Sequence, residues 1–245
     1  MSRNLKKQKN KEWECIQNIQ RKMKIENCFG ISQEEFKEIK QWINNANPNE
    51  KNSHFPDFLF ENGFIEHFAI TSSLENKKGA KQKMESVILE QKSEKIFTEQ
   101  FEKSRIGEIT NYSVSKNFEE HSHNNIVKSI KKNWEKHIES SKKYIGNKEH
   151  SIFLMEYMDH HLHTAVEKDD GCHKIYHTYR ITADLDLLKW LYKFNDEIEY
   201  LILYHEESLE IIKMDAIMNI IQDKKKVLFA PIFGLENHRY IGAKI

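Results

Sequence analysis

Asp57 and Glu66 stand on either side of Asn62-Gly63, in the run Phe55-Pro56-Asp57-Phe58-Leu59-Phe60-Glu61-Asn62-Gly63-Phe64-Ile65-Glu66-His67-Phe68-Ala69-Ile70. Asn-Gly is the strongest two-residue hairpin signal, because both positions tolerate positive φ. With those two residues as the loop, Glu61 pairs with Phe64, Leu59 faces Glu66 and Asp57 faces Phe68. Alternation then puts Asp57, Leu59, Glu66 and Phe68 on one face, with Asp57 and Glu66 as diagonal neighbours whose Cβ atoms lie roughly 7–8 Å apart. Two carboxylates at that separation can converge on one divalent cation. On an apolar hairpin they are costly to bury, and a bound Mg²⁺ would offset that cost. The structural alternative is that Pro56-Asp57 starts a strand and caps a turn while Glu66 pairs with a buried Arg or Lys.

The pattern Pro56-Asp57, then Glu66-His67-Phe68 across a hairpin, resembles the PD-(D/E)xK nuclease superfamily, whose fold is restriction-endonuclease-like. That family places Pro-Asp on one strand and, across the hairpin, an acid, a spacer and a lysine. Glu35 and Glu38, in the helix before the hairpin, resemble its acidic first helix. The likeness covers residues 32 to 75. It implies a Mg²⁺- or Mn²⁺-dependent phosphodiesterase acting on DNA, with a role in restriction or phage defence. Asp57 and Glu66 would then be the metal ligands and Glu35 or Glu38 a further one. Phe68 stands where the family has its lysine, so Lys77, Lys78 or Lys81 is the expected substitute. The alternative from another class is a non-catalytic nucleic-acid- or protein-binding module on the same fold, which the missing lysine favours.

A second group of metal-ligand types is His160, His161, His163, Cys172, His173 and His177. The spacing of His173 and His177 would put two imidazoles on one helix face, but no C-x-x-C accompanies them, so a solvent-exposed polar loop is expected over 160–180 and no structural zinc. Basic residues gather at Lys77–Lys83 and along the helix from Asn125, at Lys128, Lys131, Lys132, Lys136, Lys142 and Lys143. Glu135 and Glu139 interrupt the second set, as on a solvated helix face. Under the nuclease reading both sets are the expected phosphate contacts.

The elements that would position these residues follow from apolar periodicity. Helices are expected over 4–25, from a Ser32/Glu35 capping box through Ile43, up to Lys103, over 125–144 and over 184–194. Strands are expected over 55–60, 64–70, 106–114, 151–158, 200–205, 209–214 and 227–233, with a short helix from Asp215. The second hairpin strand is apolar on both faces, which predicts a place inside a covered sheet. Interleaved strands and helices predict one α/β domain over 1–245: a mixed central sheet flanked by helices, with a helical part at 1–50 and the acidic hairpin at 55–71.

Composition narrows the partners. The chain of 245 residues carries 38 Lys+Arg and 38 Asp+Glu, so nucleic-acid contact must come from a local basic patch such as the one at Arg3–Lys11. No apolar run approaches the roughly 18 residues of a membrane span. Three separated cysteines and a polar start predict a reducing cytoplasm. Self-association, as a homo-oligomer, is left open.

Overall fold

The computed structural model describes residues 3–49, 55–73, 91, 93–99, 102–103, 110–116, 121–159, 161–168, 171–221, 226–231 and 235–241. Helix α1 (Arg3–Lys22) forms because Cys15, Ile16 and Ile19 recur on one stripe, and Arg21 and Lys22 in its last turn suit the negative end of the helix dipole. Helix α2 (Gln33–Asn45) opens with the expected capping box. The Ser32 hydroxyl accepts from Glu35 N at 3.2 Å, and Ser32 N donates to Glu35 Oε2 at 2.8 Å. Helix α3 (His123–Lys143) is capped by Ser122 and buries Ile126, Ile130, Trp134 and Ile138 along one face. Helices α4 (Leu185–Leu191) and α5 (Ile217–Ile221) are short, and residues 93–99 are also helical.

The strands are β1 (Cys28–Phe29), β2 (Asn47–Pro48), β3 (Phe58–Phe60), β4 (Gly63–Ile70), β5 (Thr110–Lys116), β6 (His150–Tyr157), β7 (Leu162–Glu167), β8 (His173–Tyr176), β9 (Tyr200–His205), β10 (Ser208–Lys213), β11 (Val227–Pro231) and β12 (Leu235–Ile241). Seven of them form a mixed sheet in the order β1-β10-β9-β6-β4-β3-β2. Within it β4, β6 and β9 run parallel, and β3 is antiparallel to β4. A second sheet has the order β11-β7-β8, and β12 pairs with β5.

Each face of the large sheet is covered by helices. Helices α1 and α2 lie over Phe58, Phe60, Ile65, Ile152, Leu154 and Ile202. Helices α3, α4 and α5 lie over Phe64, Phe68, Phe153, Met155, Leu201 and Ile212. This is the α/β arrangement expected from the sequence, a mixed central sheet flanked by helices, and the acidic hairpin lies inside it.

The hairpin loop differs from the expectation. Phe60 pairs with Gly63, Leu59 with Phe64 and Phe58 with Ile65, so the loop is Glu61-Asn62 and not Asn62-Gly63. Gly63 is not among the positive-φ glycines. It is needed for close approach: a Cβ there would lie 2.1 Å from the His150 carbonyl oxygen and 2.6 Å from the Phe60 ring. Continuing the register sets Asp57 opposite Glu66, closer than the diagonal placement. The stretch 160–180 is also corrected: it is not one loop but carries β7 and β8, which pair with each other. His173 begins β8 and His177 follows it, so the two are not on a helix. Strand β12 was not expected at all.

Candidate active site

Strand β4 pairs with β6 along its full length, but β3 covers it only from Gly63 to Ile65. Asp57 and Glu66 meet where β3 stops. Asn49 holds the chain there, its backbone N donating to the Asp57 carbonyl at 2.8 Å and its Nδ2 to the Pro56 carbonyl at 2.9 Å. The two acids then clasp each other's backbone. Asp57 N donates to Glu66 Oε2 at 3.1 Å, and His67 N donates to Asp57 Oδ2 at 3.0 Å. The second bond uses an N–H that a continued β3 would have met with a carbonyl.

Side chains alternate on β4, so Glu66 points with Phe64 and Phe68 towards α3, while His67 points with Ile65 towards α1. On the α3 side, His137 Nδ1 meets Glu66 Oε1 at 2.6 Å. The His137 ring lies flat on Phe68, with centroids 4.6 Å apart and an interplanar angle of 11°. Trp134, one turn earlier on α3, packs edge-on against Phe68 and Phe153. The residue at the expected lysine position is therefore a platform for an imidazole.

The electrostatics are those of negative charge short of cations. Burial, then the facing Glu66, pushes the Asp57 carboxyl well above its usual range, against the pull of the His67 N–H. Burial pushes Glu66 up as well, to about 8. The Glu12 carboxylate of α1 adds to the negative field at both, and Lys136 of α3 partly offsets it at Glu66. Burial, then Lys136, pushes the His137 imidazole down to about 4. Among the described residues, neither acid has a Lys or Arg within ion-pair distance; the ion-pair partner of Glu66 is His137. The buried Arg or Lys of the structural alternative is not found among the described residues.

On the α1 side, His67 Nε2 lies 3.0 Å from Glu156 Oε2 of β6. Burial alone would push His67 down, but Glu156, with Asp57 and Glu12 behind it, raises it overall.

The remaining expected residues are placed as follows. Glu35 is not brought to the pair. Its carboxylate is 2.6 Å from Lys213 Nζ at the end of β10, and that bond, with the Ser32 cap, holds it down to about 2. Lys77 and Lys81 lie outside the described residues, as does Lys78. Cys172 is exposed, and His177 packs edge-on against His163 with ring centroids 5.1 Å apart. The sequence reading missed His137 and Glu12. His137 had a signal: it is a titratable residue beside the apolar stripe Ile126, Ile130, Trp134 and Ile138. No helix among the described residues is long and apolar enough to cross a membrane.

Comparison of the chain with protein-family models, with curated proteins and with solved structures found no match.

Proposed function

We propose that this chain is a divalent-metal-dependent phosphodiesterase acting on DNA, with the Asp57–Glu66 pair as the anchor for the ion. One observation carries the reading: the buried Glu66 and the half-buried Asp57 carboxylates face each other, both driven towards protonation, with no Lys or Arg paired to either among the described residues. A proton between them or a cation between them relieves that repulsion, and hard oxygen donors suit Mg²⁺ or Mn²⁺. The donor set thus fits the ion that the PD-(D/E)xK resemblance implies. When bound, such an ion lowers the pKa of a water and balances charge on the phosphate.

The chain's own groups supply the rest. With Glu66 ionised, the neutral His137 donates Nδ1–H to it and presents Nε2 as a proton acceptor, which suits a general base for the attacking water. Phe68 fixes the ring plane. Lys136, exposed on α3, favours the charged form of Glu66, and with Lys128 and Lys132 it offers phosphate contacts along α3.

The test is Mg²⁺- or Mn²⁺-dependent cleavage of varied DNA and RNA by wild type, Asp57→Asn and Glu66→Gln, with Mn²⁺ binding measured in parallel. Each variant is expected to lose about 100-fold or more in rate. His137→Gln is expected to lose about 10–100-fold, with a flattened acid limb in its pH–rate profile. A second reading, a non-catalytic binding module, is favoured by the reciprocal backbone clasp of Asp57 and Glu66, which holds the start of β3 against β4 whether or not an ion binds. Wild type that neither cleaves nor binds Mn²⁺ would decide for it.

A further inference from the structure

On the face of β4 opposite Glu66, three donors of different kinds converge from three elements. They are the Cys15 thiol of α1, the His67 imidazole of β4 and the Glu156 carboxylate of β6, with ligand atoms all within 4.8 Å of one another. We propose that they form a second metal site, for a thiophilic first-row ion of the Zn²⁺ class, that joins α1 to the sheet. A tetrahedral ion bound at roughly 2.0–2.3 Å holds its donors roughly 3.3–3.8 Å apart, so side-chain shifts of about 1 Å seat these three, and the fourth position falls to a water. The sulfur–nitrogen–oxygen set excludes Mg²⁺ as the preferred occupant and separates this site from the all-oxygen pair at Asp57 and Glu66.

Each donor is in place for a reason the fold supplies. Cys15 is 2% exposed and packs among Ile16, Ile19 and the α1 side of the sheet. Strands β4 and β6 are parallel neighbours, and alternation turns His67 and Glu156 to the same face, 3.0 Å apart. The Glu156 side chain is 24% exposed, which gives an ion a route in. Glu12, one helical turn before Cys15, contributes negative charge at His67. Binding displaces two protons, that of the Cys15 thiol and the one shared by His67 Nε2 and Glu156 Oε2, and releases them to solvent.

The experiment is titration of the full chain with Co²⁺, read by the sulfur-to-cobalt charge-transfer band in the near ultraviolet, with Zn²⁺ then displacing it. Wild type is expected to show the band at a single equivalent, and Zn²⁺ to raise the unfolding midpoint. Cys15→Ser should abolish the band. Glu156→Gln, at a partly exposed position that tolerates change, should weaken binding about tenfold or more. Cys172→Ser and the Asp57→Asn/Glu66→Gln double variant should leave the band intact. Absence of the band in wild type, or its survival in Cys15→Ser, overturns the proposal. Its loss in the folded double variant also overturns it, because one shared site would then account for both sets. Failure of the nuclease reading moves none of these readouts.

Discussion

Asp159 and the Asp57–Glu66 pair are acids held at or beside neighbouring strands of one sheet, and the protein treats them in opposite ways. Asp159, just past β6, accepts from Ser72 N at 2.9 Å, Ser72 Oγ at 2.7 Å, Thr71 Oγ1 at 2.8 Å, Tyr157 OH at 2.6 Å and His161 N at 3.3 Å. His121 Nδ1 stands 3.6 Å away. Burial alone would raise the Asp159 carboxyl, but the donors from His121, Tyr157 and Ser72 outweigh it and hold the group well below the usual range. Asp57 accepts one backbone N–H, Glu66 accepts one and meets His137 Nδ1, and the two acids face each other and are raised. Burial is common to both places; the supply of donors decides the sign. The charge of Asp159 is met by its donors, whereas that of the pair is not.

The largest effect is expected at Asp159. Asp159→Ala strands Ser72, Thr71 and Tyr157 without their shared acceptor and is expected to cost about 3–5 kcal/mol in urea unfolding. A loss under about 1 kcal/mol would show that the network is not the anchor described here. The next effect is the reverse in sign: in metal-free protein near pH 8, Asp57→Asn/Glu66→Gln should unfold at higher urea than wild type, because it removes a buried repulsion. Equal or lower midpoints would mean that the pair is already compensated.

pH separates the two places further. The raised pair binds protons more tightly folded than unfolded, so its contribution is full below about pH 4. That contribution is lost as pH rises towards about 8, the Glu66 value. Mn²⁺ should restore it. Subtracting the double variant isolates the pair from His137, whose lowered value makes stability fall as pH drops from about 6.5 towards about 4. Asp159, held low, contributes fully above about pH 4 and loses that contribution on further acidification. Urea midpoints across pH for wild type, the double variant and Asp159→Asn read all three. Phe68→Leu should cost about 1–2 kcal/mol in urea unfolding and lower cleavage, through the loss of the ring under His137. Smallest of all, Glu35→Gln keeps the helix cap and loses only a partly exposed pair with Lys213. It should cost under about 1 kcal/mol and leave cleavage unchanged; a large loss of activity would bring Glu35 back as a ligand.

Local patterns in the sequence determined most of the elements. The Ser32–Glu35 cap, the apolar stripe from Ile126 to Ile138 and the doubly apolar strand ending at Ile70 are each decided within a few residues, by helix-end hydrogen bonding and by period. The same patterns gave a mixed sheet between helices, with Asp57 and Glu66 brought together on a hairpin. What local pattern could not give was anything set by a partner distant in the chain. Gly63 reads as a turn residue until the His150 carbonyl of β6 is seen against it, and that contact moves the loop by one residue and brings the two acids face to face. Glu35, on the helix nearest the hairpin in sequence, is drawn off by Lys213, while Glu12 of the first helix adds its charge at the pair and Cys15 meets His67 and Glu156 on the other face of β4. His137 meets Glu66 only because α3 packs across β4. Short-range hydrogen bonding and periodicity decide what each segment becomes; which side chains share a charge, a proton or an ion depends on how those segments cross, and that was decided by the packing of both faces of the sheet.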